Sequence, residues 1–281
     1  MVQNRPLLGF LRHLVLLAGV AIVMFPIYVA LVASTHTAPD LQSNFPGWFG
    51  DQLVENYGTV LSSGMRAAGG APVGTMMFNS LVMALTIAIG KIAISLISAF
   101  AIVYFRFPFR MGFFWVIFLT LMLPVEVRIL PTYEVVAGFG MLDTYVGLTL
   151  PLIASATATF LFRQFFLTVP DELTEAARID GAGPMKFFKD ILLPLSRTNI
   201  AALFVILFIY GWNQYLWPLL ITTREDMYTV VMGIQRMANV DEALIQWNLV
   251  MATAILAMLP PILVVVGMQR LFVKGLVETE K

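Results

Sequence analysis

The sequence contains no cysteine and only two histidines, His13 and His36. Without thiols there is no disulfide, thiolate metal site or cysteine nucleophile. Two histidines give a metal centre or a Ser/His/Asp triad almost nothing to work with, so neither a metal site nor a catalytic residue is expected. Charge is scarce as well: 12% of the 281 residues are charged, about half the share of a soluble domain. The 17 Lys and Arg balance the 17 Asp and Glu, and a nucleic-acid partner would call for a basic excess. The phosphate loop G-x-x-x-x-G-K-[ST] is also missing; the glycine-rich run at 69–74 lacks the lysine and a preceding strand. No cofactor is therefore expected on this chain, and any ATP hydrolysis has to reside on another. The apolar runs hold no histidine and few carboxylates, so a proton relay is not evident either.

What is present is apolar. Hydrophobic residues make up 59% of the chain and mean hydropathy is +0.85. A helix needs about 20 apolar residues to cross a bilayer, and six segments qualify: about 14–34, 76–105, 111–131, 144–162, 198–223 and 243–269. They do not alternate with the two-residue period of a barrel. The expectation is an all-α polytopic membrane protein, a single transmembrane domain over 1–281 with six transmembrane helices. Arg5 and Arg12 before the first run resemble the charged start of a signal peptide. That run exceeds the usual hydrophobic region of such peptides, so it is read as an uncleaved span.

Lys and Arg set the orientation. With the N-terminus inside, the inner segments hold Arg5, Arg12, Arg106, Arg110, Arg163, Arg178, Lys186, Lys189, Arg197, Arg270, Lys274 and Lys281. The outer ones hold only Arg66, Arg224 and Arg236. Both termini are therefore expected in the cytoplasm. The outer segments, about 35–75, 132–143 and 224–242, are too small to form an independent domain.

The inner loop 163–197 carries the most local information. Pro170 suits a helix start, and Asp171 and Glu172 suit its first turn. The spacing predicts a short helix over 171–179, closed by Gly181 in a left-handed cap. Pro184 can begin a second helix, and Pro194 is expected to break the next one. Ala176, Ala177 and Ile179 offer a small apolar surface able to dock into a groove on another protein; a solvated connector is the alternative.

The order Glu175-Ala176-Ala177, three residues, Gly181, nine residues, then Ile191-x-Leu193-Pro194 resembles the EAA loop of ABC importer permeases. Six spans with both termini inside are similar to the smaller permease subunit of the maltose-type carbohydrate importers. Within that family, the stretches 118–129, 154–166 and 208–221, with Asn4-Arg5-Pro6 and Gly275-Leu276-Val277, resemble the permeases of sn-glycerol-3-phosphate importers. The resemblance covers essentially the whole chain. It implies a type I importer permease fold in a bacterial inner membrane. It also implies a second, paralogous permease subunit, two ATPase subunits carrying the ATP and Mg, and a periplasmic solute-binding protein. The loop would couple to the ATPase through Glu175, Ala176, Ala177, Asp180 and Gly181. A sugar or oligosaccharide importer is the nearest alternative; an ion-coupled secondary transporter is more remote.

Polar groups inside a membrane are costly and mark functional candidates. Counted from the inner end of each span at 1.5 Å per residue, Lys91, Glu126, Arg128, Asn213 and Gln214 all fall roughly 20–26 Å up. They are expected to line the translocation path, where a lysine and an arginine would offset the desolvation of an anionic solute. A structural alternative stands beside this. Glu126 and Arg128 could pair near the outer surface, Lys91 could snorkel, and Asn213 and Gln214 could hydrogen-bond between helices.

Overall fold

The computed structural model describes residues 6–43, 46–65, 70–122, 125–241 and 245–278, and no strand occurs among them. The helices are α1 Pro6–Ala33, α2 Ala38–Ser43, α3 Leu53–Ser62, α4 Val73–Tyr104, α5 Arg110–Leu119, α6 Val125–Gly138, α7 Tyr145–Thr149 and α8 Ala156–Phe166. They continue with α9 Asp171–Ile179, α10 Pro184–Phe187, α11 Leu193–Leu195, α12 Arg197–Trp212, α13 Leu216–Ile221, α14 Val230–Ala238 and α15 Trp247–Glu278. Three are long and apolar enough to cross a membrane, over Gly9–Ala33, Val73–Tyr104 and Trp247–Gln269. They correspond to the first, second and sixth predicted spans, and the six predicted spans are consistent with this architecture.

The other three predicted spans are interrupted. The run 111–131 divides into α5, a 3-10 turn at Thr120–Met122, and α6. The run 144–162 divides into α7, the 3-10 turn Leu150–Leu152 and α8, with a 47° bend between the two halves. Pro151 has no backbone N–H to continue the first half, and Ser155 restarts the helix by accepting the Ala158 amide at 3.3 Å. The run 198–223 divides into α12 and α13 around Asn213, Gln214 and Tyr215. The helix expected to break at Pro194 ends one residue later, at Leu195. A π turn at Phe188–Leu192 precedes the proline. The 71° bend comes after it, between Leu195 and Arg197.

The chain divides into two compact units, Met1–Thr75 with Gly233–Leu259, and Met76–Met232 with Pro260–Lys281. In the first, α1 presents large apolar side chains almost all round and buries very few of them, as a helix facing lipid or a neighbouring subunit does. The chain after it is fastened by polar contacts. Asn56 donates to the carbonyls of Ser34 at 2.9 Å and His36 at 2.8 Å, and accepts from Asn248 of α15 at 2.9 Å.

In the second unit, Met83, Ile87, Ile129, Leu148, Trp217 and Ile221 form a buried cluster that gathers α4, α6, α7 and α13. The Trp217 indole donates to the Gly147 carbonyl at 3.1 Å. Towards the other end of α4, the rings of Phe100, Tyr104, Phe166, Phe187 and Phe188 meet at centroid distances of 4.8–6.2 Å. This aromatic knot fixes α8 and α10 to α4, and so positions the short helix α9 between them.

Candidate functional site

Helix α9 forms where the local chemistry requires it. Pro170 precedes it, Asp171 and Glu172 occupy its first turn, and Arg178 lies in its last, each charge favourable to the helix dipole. Asp180 caps it, and Gly181 then turns the chain at φ +71°, a conformation costly for any residue with a Cβ. Among the expected coupling residues only Ala177 is buried; Glu175, Ala176, Asp180 and Gly181 are exposed, and Ile179 is 86% exposed. The helix thus rests on Ala177 and presents a small protruding face.

The second grouping lies on α4, α6 and α12. Lys91 of α4 is 7% exposed, and its ammonium sits 3.9 Å from the centroid of the Tyr210 ring. No carboxylate pairs with it among the described residues. Arg128 of α6 is the charged neighbour of both Lys91 and Tyr210. Gln214 donates from Nε2 to the Tyr210 carbonyl at 3.1 Å, at the point where α12 gives way to α13. Lys91 and the Gln214 amide thus meet at one tyrosine, with the exposed Arg128 close enough to act on it electrostatically. Close packing of α4 and α12 holds them there: a Cβ on Gly211 would sit 2.8 Å from Cα of Ala84, so glycine permits the crossing. Arg128 also borders an apolar groove of about 460 Å3 with Pro131, Val135, Phe139 and Leu150.

Of the residues expected at this level, Lys91 and Gln214 both meet Tyr210, and Arg128 is the charged neighbour of Lys91 and Tyr210. Asn213 caps α12 and is exposed, and the side chain of Glu126 lies outside the described residues. The sequence reading missed Tyr210. Its signal was available, one helical turn before Gln214 and on the same face, but an aromatic in an apolar span reads first as packing.

A third polar grouping fastens the segments expected on the outer side. Asp143, at φ +54°, accepts from the Thr223 amide and hydroxyl, both at 2.6 Å, and from the Arg224 amide at 3.0 Å. Partial burial opposes ionisation, yet these bonds and the Arg224 charge together hold the Asp143 carboxyl below its ordinary value. Asn79 of α4 donates to the carbonyls of Asp226 at 2.8 Å and Tyr228 at 3.0 Å, and accepts from the Tyr145 hydroxyl at 2.6 Å.

Apolar spans, some of them interrupted, with Lys91 buried in α4 and Arg128 on the neighbouring α6, are the features of a polytopic membrane transport component. Residues 91–278 match the family model described as binding-protein-dependent transport system inner membrane component, and the chain belongs to that family. The chain is 62% identical over 285 residues, covering 100% of both chains, to the sn-glycerol-3-phosphate transport system permease protein UgpE of Agrobacterium fabrum. It is 57% identical over 282 residues, again covering 100% of both, to the protein of the same name from Salmonella choleraesuis. Its fold is similar to that of a chain in the crystal structure of a bacterial ABC transporter involved in the import of the acidic polysaccharide alginate. That match has a TM-score of 0.80, 19% identity and coverage of 96% of this chain and 98% of the other.

Proposed function

We propose that this chain is one of two permease subunits of an ABC importer that carries sn-glycerol-3-phosphate, or a glycerophosphodiester, across the inner membrane by alternating access. Both termini and α9 face the cytoplasm, as the distribution of Lys and Arg favours. Two partner ATPase subunits supply ATP, Mg and hydrolysis, and a periplasmic binding protein delivers the solute. The α9–Gly181 turn transmits closure of the ATPase pair to the spans.

The observation that carries the solute assignment is Lys91, buried with no carboxylate partner among the described residues and with Arg128 as its charged neighbour. A buried cation without a counter-ion is expensive, and a passing phosphate would supply one. The names of the full-length relatives support the same class of solute. Affinity at such a point has to stay low, because a solute held tightly is not released. The Tyr210 ring serves that end: it stabilises the lysine between passages by about 1–2 kcal/mol, so the anion gains less on arrival.

The test is uptake of labelled sn-glycerol-3-phosphate by the assembled complex, with glycerophosphocholine and maltose as competitors. Competition by glycerophosphocholine and none by maltose is the expected result. Displacement by maltose, or no uptake of the label, overturns the assignment.

A further inference from the structure

Neither solute passage nor attachment to an ATPase uses the pocket of about 230 Å3 that lies between the end of α4 and the α9–α10 hairpin. Its wall carries two guanidinium groups, those of Arg106 and Arg178. Neither has a carboxylate partner among the described residues. Asp171 lies near Tyr104 but is not part of the wall. The remainder is mostly apolar or aromatic, with Phe105, Tyr104 and Phe187 prominent.

Helix geometry separates this pocket from the coupling face. At about 100° per residue, Thr174, Ala177 and Arg178 share one side of α9, and all three line the pocket. Glu175, Ala176 and Ile179 lie on the opposite side and are exposed. Arg178 therefore stays accessible from behind while the front of α9 is engaged.

The loop that supplies Arg106 reads Phe105-Arg106-Phe107-Pro108-Phe109-Arg110. Phe109 is 83% exposed and Arg106 is exposed. Arg110 folds back to donate to the Phe105 carbonyl at 3.4 Å. Aromatic rings alternating with guanidinium groups at the end of a span suit the boundary between acyl chains and headgroups.

We infer that this pocket binds the headgroup phosphate of an anionic phospholipid from the inner leaflet, between Arg106 and Arg178, with the acyl chains against Phe105 and Phe109. A guanidinium fork matches two phosphate oxygens at once. Such a lipid braces the back of α9, so membrane composition sets how firmly the hairpin is held. The inference rests on the reading that places α9 on the cytoplasmic side.

The experiment uses the assembled complex in nanodiscs of phosphatidylcholine, with and without phosphatidylglycerol. Lipid retained by the protein is counted by native mass spectrometry, and ATPase stimulation by loaded binding protein is followed separately. Arg106→Gln and Arg178→Gln should each lower phosphatidylglycerol retention about fivefold, and together about thirtyfold, as expected for two basic groups at an anionic surface. Arg106→Lys with Arg178→Lys should retain most of it, and Arg224→Gln should leave it unchanged.

Unchanged retention in the double glutamine variant overturns the site. So does loss of the ATPase subunit from that variant without loss of lipid, since the arginines would then be meeting an acidic protein surface. If inorganic phosphate added to phosphatidylcholine discs reproduces the effect of phosphatidylglycerol on stimulation, the ligand is a free anion and the lipid assignment falls. Retention is measured without turnover, so normal retention in a complex that glycerol phosphate fails to activate condemns the solute reading and leaves the lipid site standing.

Discussion

At the scale of single residues, Lys91 and Tyr210 make the sharpest demand. Lys91→Met should reduce uptake of sn-glycerol-3-phosphate at least tenfold, roughly the effect of losing one charge-assisted contact, while the purified complex keeps its subunit composition. Tyr210→Leu should lower uptake too, whereas Tyr210→Phe keeps the ring face and should stay near the parent. Equal uptake by Tyr210→Leu and Tyr210→Phe would remove the ring from the account. Asp143 offers a test outside the apolar runs. Asp143→Ala should speed amide exchange at Thr223 and Arg224 by about an order of magnitude. Because the Asp143 carboxyl ionises more readily in the folded chain, its contribution to stability is complete above the ordinary value of 3.8. It is lost only as pH falls through the lower folded value, so exchange at these two amides should stay slow through mildly acid pH. Lys91, Arg128 and Gln214 stand out in the sequence because polarity in an apolar run is conspicuous. Tyr210 does not, since its role arises from which helix lies opposite.

At the scale of elements, the sequence is most informative where local rules operate alone. Pro170, Asp171, Glu172 and Gly181 delimit α9, and the helix runs over Asp171–Ile179 as the spacing predicts. Hydropathy locates the apolar runs but is blind to the backbone within them. The breaks at 153–155 and 213–215 are therefore legible only through Pro151, Asn213 and Gln214, and the neighbouring helices decide whether such residues interrupt a span. Gly181→Leu should place a branched side chain at φ +71°, costing about 1–2 kcal/mol, with loss of ATPase stimulation by loaded binding protein as the readout. Stimulation at the parent level would argue against α9 as the coupling element. Gly211→Leu acts differently: it forces α12 away from α4 at Ala84. Overpacking of this kind costs about 1–3 kcal/mol and should appear as a lower melting temperature of the complex.

At the scale of the whole molecule, the absence of cysteine makes sidedness directly measurable. Trp48 is 80% exposed and Ile179 is 86% exposed. In intact spheroplasts a membrane-impermeant maleimide should label Trp48→Cys and spare Ile179→Cys until the membrane is opened; the reverse pattern would invert the proposed topology. The fold class is legible because six apolar runs in a chain of low charge leave few alternatives, whereas the grouping into two units depends on contacts far apart in sequence. Helix α4 differs from the interrupted spans around it. It runs unbroken past three sites: the polar fastening at Asn79, the lysine at mid-length and the aromatic knot at Tyr104. From Asn79 to Tyr104 it measures about 38 Å. A rod without a joint cannot absorb a tilt along its length. Any lean imposed at one end has to emerge at the other, so in the proposed orientation a docking event on one side of the bilayer would displace the opposite side directly.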